Sequence, residues 1–116
     1  RGVTEATATP RPGRVVTGAA SLEVLGQDGA VLRRQPLGGN GLAIGRRSSS
    51  GLMLSDPEVS REHARVDYVP PRYFVRDLQS MNGTVVNGRQ IDQPHPLTDG
   101  DLIEVGHSRL RFRVGG

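Results

Sequence analysis

The chain has 116 residues, a net charge of +3 and no cysteine, which suits one small domain and excludes a disulfide framework, a cysteine-based zinc site and a thiol nucleophile. All 15 basic residues are arginines, so a lysine-dependent phosphate loop, a kinase lysine and a Schiff-base lysine are also excluded. No apolar run reaches the length of a membrane span and no signal peptide is visible. Together with the missing cysteines, this predicts a cytoplasmic protein.

The first 20 residues differ in composition from the rest of the chain. They are small and polar, are interrupted by proline and glycine, and contain no aromatic residue. Such a segment lacks the apolar side chains that a packed core needs. We therefore interpret residues 1–20 as a flexible tail or linker and residues 21–116 as the domain.

From residue 21 onward, apolar residues recur in short runs that are separated by turn residues. The pairs Asp28-Gly29 and Asn87-Gly88 predict tight hairpin turns, whereas residues 94–97 are predicted to be irregular. No segment has a helical period, and short strands at regular spacing are typical of an all-β sandwich or barrel with one buried face per sheet. The predicted strands are 21–26, 31–37, 42–45, 52–54, 64–69, 73–78, 84–86, 89–91, 102–105 and 109–114.

Three loop sequences carry the side chains with the most useful chemistry. Arg46 follows a strand, Ser60 precedes one, and Asn82 lies between two others. If these loops meet at one end of the sandwich, the guanidinium fork and the hydroxyl suit a phosphate, because a phosphorylated side chain offers three strong acceptor oxygens. The amide of Asn82 suits the backbone of an extended peptide. The pattern predicts a pocket for a phosphate carried on another polypeptide.

In this order and spacing, Gly45-Arg46, Ser60-x-x-His63, the run from Ser80 to Thr84 and Asn87-Gly88 resemble the signature of the forkhead-associated (FHA) domain. The resemblance covers residues 21–114. It implies a SMAD/FHA-like β-sandwich of two antiparallel sheets and about eleven strands, whose loops at one end bind phosphothreonine peptides. Among bacterial proteins, the chain is most similar to actinobacterial-like modules that read the substrates of Ser/Thr protein kinases.

The resemblance also implies roles for individual residues at the ligand. Arg46 would hold the phosphate, and Ser60 would donate a hydrogen bond to it. Arg61 would add a second positive contact. Asn82 would bind the main chain of the peptide beside the phosphothreonine.

Other residues would support or modify this site. His63 would brace the loops, and Gly45 and Gly83 would permit the loop conformations. Met81 would be part of the peptide-binding surface, but it stands where the family commonly has threonine, so a hydroxyl is missing there. Glu58 lies where family members can sense a residue beyond the phosphothreonine, and its carboxylate would favour basic residues there.

The predicted function is a non-enzymatic binding module without cofactor or metal, which recruits its parent protein to phosphorylated partners of a Ser/Thr kinase. Thr4, Thr7 or Thr9 of the tail could itself be phosphorylated and occupy the pocket. Two alternatives remain open. One is an FHA-fold interaction scaffold that does not depend on phosphorylation, with Met81 as the hint. The other is nucleic-acid binding through arginines, which a net charge of +3 and four aromatic residues make the weaker alternative.

Overall fold

The computed structural model describes residues 20–115, which form eleven strands and no helix. Nothing in this range has the length and apolar character that a membrane-crossing helix requires. The strands are β1 (Ser21–Leu25), β2 (Val31–Pro36), β3 (Leu42–Gly45), β4 (Leu52–Met53), β5 (Ala64–Val69), β6 (Arg72–Asp77), β7 (Thr84–Val86), β8 (Arg89–Gln90), β9 (His95–Pro96), β10 (Leu102–Val105) and β11 (Ser108–Arg113). The predicted all-β sandwich is confirmed.

The strands form two sheets. One has six strands in the order β2-β1-β11-β10-β7-β8, and the other has five in the order β4-β3-β5-β6-β9. All pairs in the described residues are antiparallel except β3 with β4, which run parallel. The loop 46–51 returns along the sheet edge until Gly51 lies against Leu42, so β4 restarts in the direction of β3. This one pair departs from the two antiparallel sheets that were predicted.

The core lies between the two sheets and uses the alternate residues of each strand. Tyr73 of the five-stranded sheet and Phe112 of the six-stranded sheet are each 1% exposed, and their ring centroids are 5.9 Å apart. The hydroxyl of Tyr73 donates to the carbonyl of Gly38 at 3.2 Å, which satisfies a polar group at the edge of the core. This packing across the sheets fixes their relative position.

Two details differ from the sequence prediction. Residues 95 and 96 pair with β6 as a short strand, although Pro94 precedes this segment and Pro96 is part of it. Strand β1, which pairs with β2 and β11, is buried on both faces over its first four residues, and on one of these faces Glu23 is bound by Arg34 at 2.7 Å. The predicted tail lies outside the described residues except Ala20, which is buried.

The strand ends bring three loops to one end of the sandwich. Ala64, the first residue of β5, is paired with Ile44 near the end of β3 and with Asp77 at the end of β6. Thr84 begins β7 in the other sheet. The loops 46–51, 55–63 and 78–83 therefore leave the two sheets at the same end.

Candidate functional site

A depression of about 190 Å³ lies between these three loops. Its walls combine the side chains of Arg46, Ser60, Met81 and Asn82 with the segment 57–59. These residues are up to 36 positions apart in the sequence (82 − 46). The structure therefore brings a guanidinium, a hydroxyl and a carboxamide to one small surface.

Arg46 is exposed, but its position is fixed by two hydrogen bonds. Its backbone N–H donates to the carbonyl of Ser60 at 3.1 Å, and its Nε donates to the carbonyl of Val59 at 2.9 Å. A guanidinium has five N–H donors, so anchoring through Nε leaves the two terminal nitrogens for a ligand. The arrangement presents a planar fork at the depression.

Ser60 is half-buried, and its hydroxyl joins two of the loops. Its Oγ accepts the backbone N–H of Met81 at 2.9 Å. Because a hydroxyl can accept and donate at the same time, its own hydrogen stays available for an anion. The Met81 side chain takes no part in this bond and is 87% exposed.

Asn82 is bound to Glu58 in this structure. Its Nδ2 donates to the backbone carbonyl of Glu58 at 2.9 Å and to the carboxylate Oε1 at 3.1 Å. Both residues are exposed. Within the described residues, the amide oxygen of Asn82 accepts no hydrogen bond. The Glu58 carboxylate lies at the rim of the depression.

His63 lies beneath the depression and connects two of the loops with strand β3. It is fully buried. Its Nδ1 accepts the backbone N–H of Ser60 at 3.0 Å, so the ring proton is on Nε2, which donates to the carbonyl of Gly83 at 2.8 Å. Its backbone N–H donates to the carbonyl of Ile44 at 3.0 Å. His63 therefore braces the backbone that carries the site, and its own side chain does not line the depression.

Asp77 is a supporting residue that the sequence analysis missed. It accepts the backbone N–H of Ser80 at 3.0 Å, the hydroxyl of Ser80 and the hydroxyl of Thr84 at 2.8 Å. Burial alone would raise the pKa of Asp77, but these bonds, with the nearby His63, hold the pKa below its ordinary value of 3.8. The sequence signal was Asp77 three residues before Ser80, a spacing typical of turn-capping carboxylates.

Asp56 supports the opposite wall and was also missed. It accepts the backbone N–H groups of Glu58 at 2.9 Å and of His107 at 2.7 Å, and the hydroxyl of Ser108 at 3.0 Å. Although burial opposes the change, these bonds lower the pKa of Asp56. No local pattern reveals a contact between residues 51 positions apart.

The two glycines of the predicted site are required for different structural reasons. Gly83 has a φ of 82°, which favours glycine. A Cβ on Gly45 would overlap the carbonyl oxygen of Arg61, so close backbone approach requires glycine there. The side chain of Arg61 is exposed and is not among those that line the depression.

Comparisons with known proteins agree with this architecture. The FHA domain family matches residues 42–106. The chain is 41% identical over 73 residues to the oxoglutarate dehydrogenase inhibitor of Corynebacterium jeikeium, which covers 63% of this chain and 50% of that protein. The matched part therefore spans only half of that relative's length.

Two solved structures extend the comparison to three dimensions. An FHA domain from a study of phosphothreonine-dependent FHA domain interactions has a TM-score of 0.76 and 32% identity, with 84% of this chain and 98% of that chain covered. EmbR of Mycobacterium tuberculosis, in complex with a low affinity phosphopeptide, has a TM-score of 0.77 and 30% identity, and the match covers 85% of this chain and 25% of that chain. The family match, the sandwich and the loop motifs agree, and the chain belongs to the forkhead-associated domain family.

Proposed function

We propose that this domain is a non-enzymatic module that binds phosphothreonine in substrates of Ser/Thr protein kinases and so recruits its parent protein to them. The single observation that carries the proposal is the convergence of Arg46, Ser60 and Asn82 on one depression. Nothing in the proposal requires a cofactor or a metal.

The available donors match the chemistry of a phosphorylated side chain. A phosphate carries about −1.5 to −2 charges at neutral pH, and each charge-assisted hydrogen bond contributes about 1.5–3 kcal/mol. The terminal nitrogens of Arg46 and the hydroxyl of Ser60 would bind the phosphate. The amide of Asn82 would exchange its contact with Glu58 for the peptide backbone. Arg61 would act from outside the depression as a second positive charge.

The similar proteins support this proposal. One of the similar FHA domains comes from work on phosphothreonine-dependent interactions, and EmbR was solved with a phosphopeptide. We extend both properties to this chain. Thr4, Thr7 and Thr9 lie outside the described residues, and their phosphorylation, like the cytoplasmic location, stays a prediction.

Calorimetry with an oriented phosphothreonine peptide library tests the proposal directly. Phosphoserine and unmodified peptides serve as ligand controls. Arg46→Ala and Ser60→Ala should each weaken binding by more than about tenfold, and the double variant by more than about a hundredfold. Arg72→Ala, an exposed arginine at the opposite end of β6, should bind normally. A double variant that binds as tightly as the wild type would refute the site.

A phosphate-independent scaffold is the second candidate, and the 87% exposed Met81 on the rim favours it. Equal binding of unmodified and phosphorylated partner would support that candidate. The nucleic-acid alternative is weaker still, because Arg109 and Arg111 of β11 already donate to the carbonyls of Gly26 at 2.6 Å and Gly100 at 3.2 Å. Binding to DNA with a steep salt dependence would be its signature.

A further inference from the structure

A second cavity, of about 290 Å³, lies on the outer face of the five-stranded sheet. Arginines from three places surround it, together with serine hydroxyls and a small apolar floor. We call it the arginine groove and define it by Arg47, Ser50, Glu62, Arg65, Arg76 and Leu78. None of these side chains lines the depression of the proposed phosphate site.

The sheet register places two of the arginines side by side. Arg65 of β5 is directly opposite Arg76 of β6, where two like charges would repel each other. Asp67 relieves this repulsion, because its two carboxylate oxygens accept the Nε of Arg65 at 2.9 Å and the Nε of Arg76 at 2.7 Å. One carboxylate therefore holds both guanidinium groups in place.

Most donors of these side chains remain open. Arg65 makes one further bond, to the carbonyl of Asn40 at 2.7 Å. Within the described residues, the other four N–H groups of Arg76 make no hydrogen bond to the protein. A guanidinium with anchored Nε and open terminal nitrogens is suited to bidentate binding of a carboxylate.

The third arginine forms the opposite wall. Arg47 is paired with Glu62 at 2.6 Å, and both side chains are largely exposed, at 47% and 64%. Three arginines against Glu62 and Asp67 leave the groove and its immediate surroundings with a net charge of +1 (3 − 2). The groove therefore favours an acidic occupant over a basic one.

The groove and the phosphate site are lined by neighbouring residues of one loop, 46–51. Arg46 lines the depression and the next residue, Arg47, lines the groove. Consecutive Cα atoms are about 3.8 Å apart, and an extended peptide advances about 3.3–3.6 Å per residue. A polypeptide whose phosphothreonine occupies the depression can thus place a side chain in the groove a few residues away.

Resting on the proposed function, we propose that the arginine groove binds aspartate or glutamate side chains that flank the phosphothreonine in the same partner polypeptide. The groove would select partners with acidic flanks, while the depression supplies the dependence on phosphate. Each acidic residue that reaches an open guanidinium should improve affinity about two- to fivefold.

The test uses three phosphothreonine peptides that differ only in their flanks: one neutral, one acidic before the phosphothreonine and one acidic after it. Calorimetry on the wild type should show tighter binding of one acidic peptide, and the difference should shrink as salt is raised. Arg76→Gln should remove this preference while changing neutral-peptide affinity less than about twofold. Arg72→Gln is the matched control: it has the same charge change and lies on the same face of β6, about 13 Å away.

A variant with the opposite effect strengthens the test. Glu62→Gln removes the carboxylate that occupies Arg47, so the preference for acidic flanks should increase. If the neutral peptide binds but acidic flanks add nothing, or if Arg76→Gln keeps the preference, the groove proposal alone fails. If no phosphopeptide binds, the proposed function fails and the groove proposal fails with it.

Discussion

The residues that line the depression and the buried residues beneath it differ in how completely their polar groups are hydrogen-bonded. At the depression, Arg46 and Asn82 are exposed and keep donors or acceptors without protein partners in the described residues. One layer below, His63 is fully buried and both of its ring nitrogens are hydrogen-bonded. The carboxylate of Asp77 accepts three bonds, two from Ser80 and one from Thr84 at the start of β7.

This difference separates two kinds of residue within one sequence signature. Residues with open hydrogen-bonding groups can exchange partners when a ligand arrives. Residues with saturated groups cannot exchange partners without a loss of stability, since an unpaired buried polar group costs about 1–3 kcal/mol. Substitutions of residues that line the depression should therefore affect ligand binding. Substitutions of the buried residues beneath it should first reduce the stability of the fold.

The largest expected effect on folding is that of His63→Ala. The change leaves a cavity and removes the partners of the Ser60 N–H and the Gly83 carbonyl, so the free energy of unfolding should fall by about 2–4 kcal/mol. Urea denaturation measures this loss. His107→Ala is the matched control, because its side chain is exposed and should change stability by less than about 0.5 kcal/mol. Equal stability of both variants would refute the supporting role of His63.

Asp77→Asn should have a smaller effect, which depends on pH. Since the pKa of Asp77 in the folded state is below its ordinary value of 3.8, its ionised form stabilises the fold above that pH, and this contribution is lost as pH falls through the folded pKa. At pH 7 the variant should lose about 1–3 kcal/mol of unfolding free energy.

Urea denaturation from pH 7 to pH 2 checks the sign of this linkage. The wild type should lose stability below about pH 4, and Asp77→Asn should lose less over the same interval. Asp92→Asn, which changes an exposed carboxylate, provides the control and should follow the wild type. A variant with the full acid dependence of the wild type would contradict the role of Asp77.

The sequence predicted what depends on local patterns. The turn at Asn87-Gly88 and the alternation of Leu110 and Phe112 are short-range signals, and the structure confirms both the turn and the buried face. The bond from His107 to Asp56 spans 51 residues, so no pattern within a loop could indicate it. Nothing in the sequence indicates that Arg65 and Arg76 are neighbours, because only the register of β5 and β6 brings them together.

The parallel pairing of β4 and the short strand β9 could not be predicted for a related reason. Strand β9 consists of two residues, which is too short for an alternation to be recognised. A strand was predicted at 52–54, but no local pattern indicates the direction of its pairing with β3. Their position depends on the sheet edge to which the folded core brings them. The parts of the site that the sequence missed are likewise contacts between loops, and these form only when the sandwich is complete.

The smallest predicted effect concerns Met81, which lines the depression. Because its side chain is 87% exposed, Met81→Thr should change the free energy of unfolding by less than about 0.5 kcal/mol. The backbone bond from residue 81 to Ser60 stays in place, and the new hydroxyl can add one hydrogen bond to a phosphopeptide. Affinity for a phosphothreonine peptide should therefore rise about three- to tenfold.

Calorimetry and urea denaturation on the same preparation separate the two effects of this substitution. Val69→Thr serves as the control, because Val69 is 57% exposed and ends β5 at the opposite end from His63. It should change neither quantity. If Met81→Thr weakens binding instead, the thioether itself contacts the partner, and the exposed apolar side chain is part of the recognition surface. If Met81→Thr unfolds the domain, the separation between residues that bind and residues that stabilise the fold is wrong at Met81, where high exposure should make it clearest.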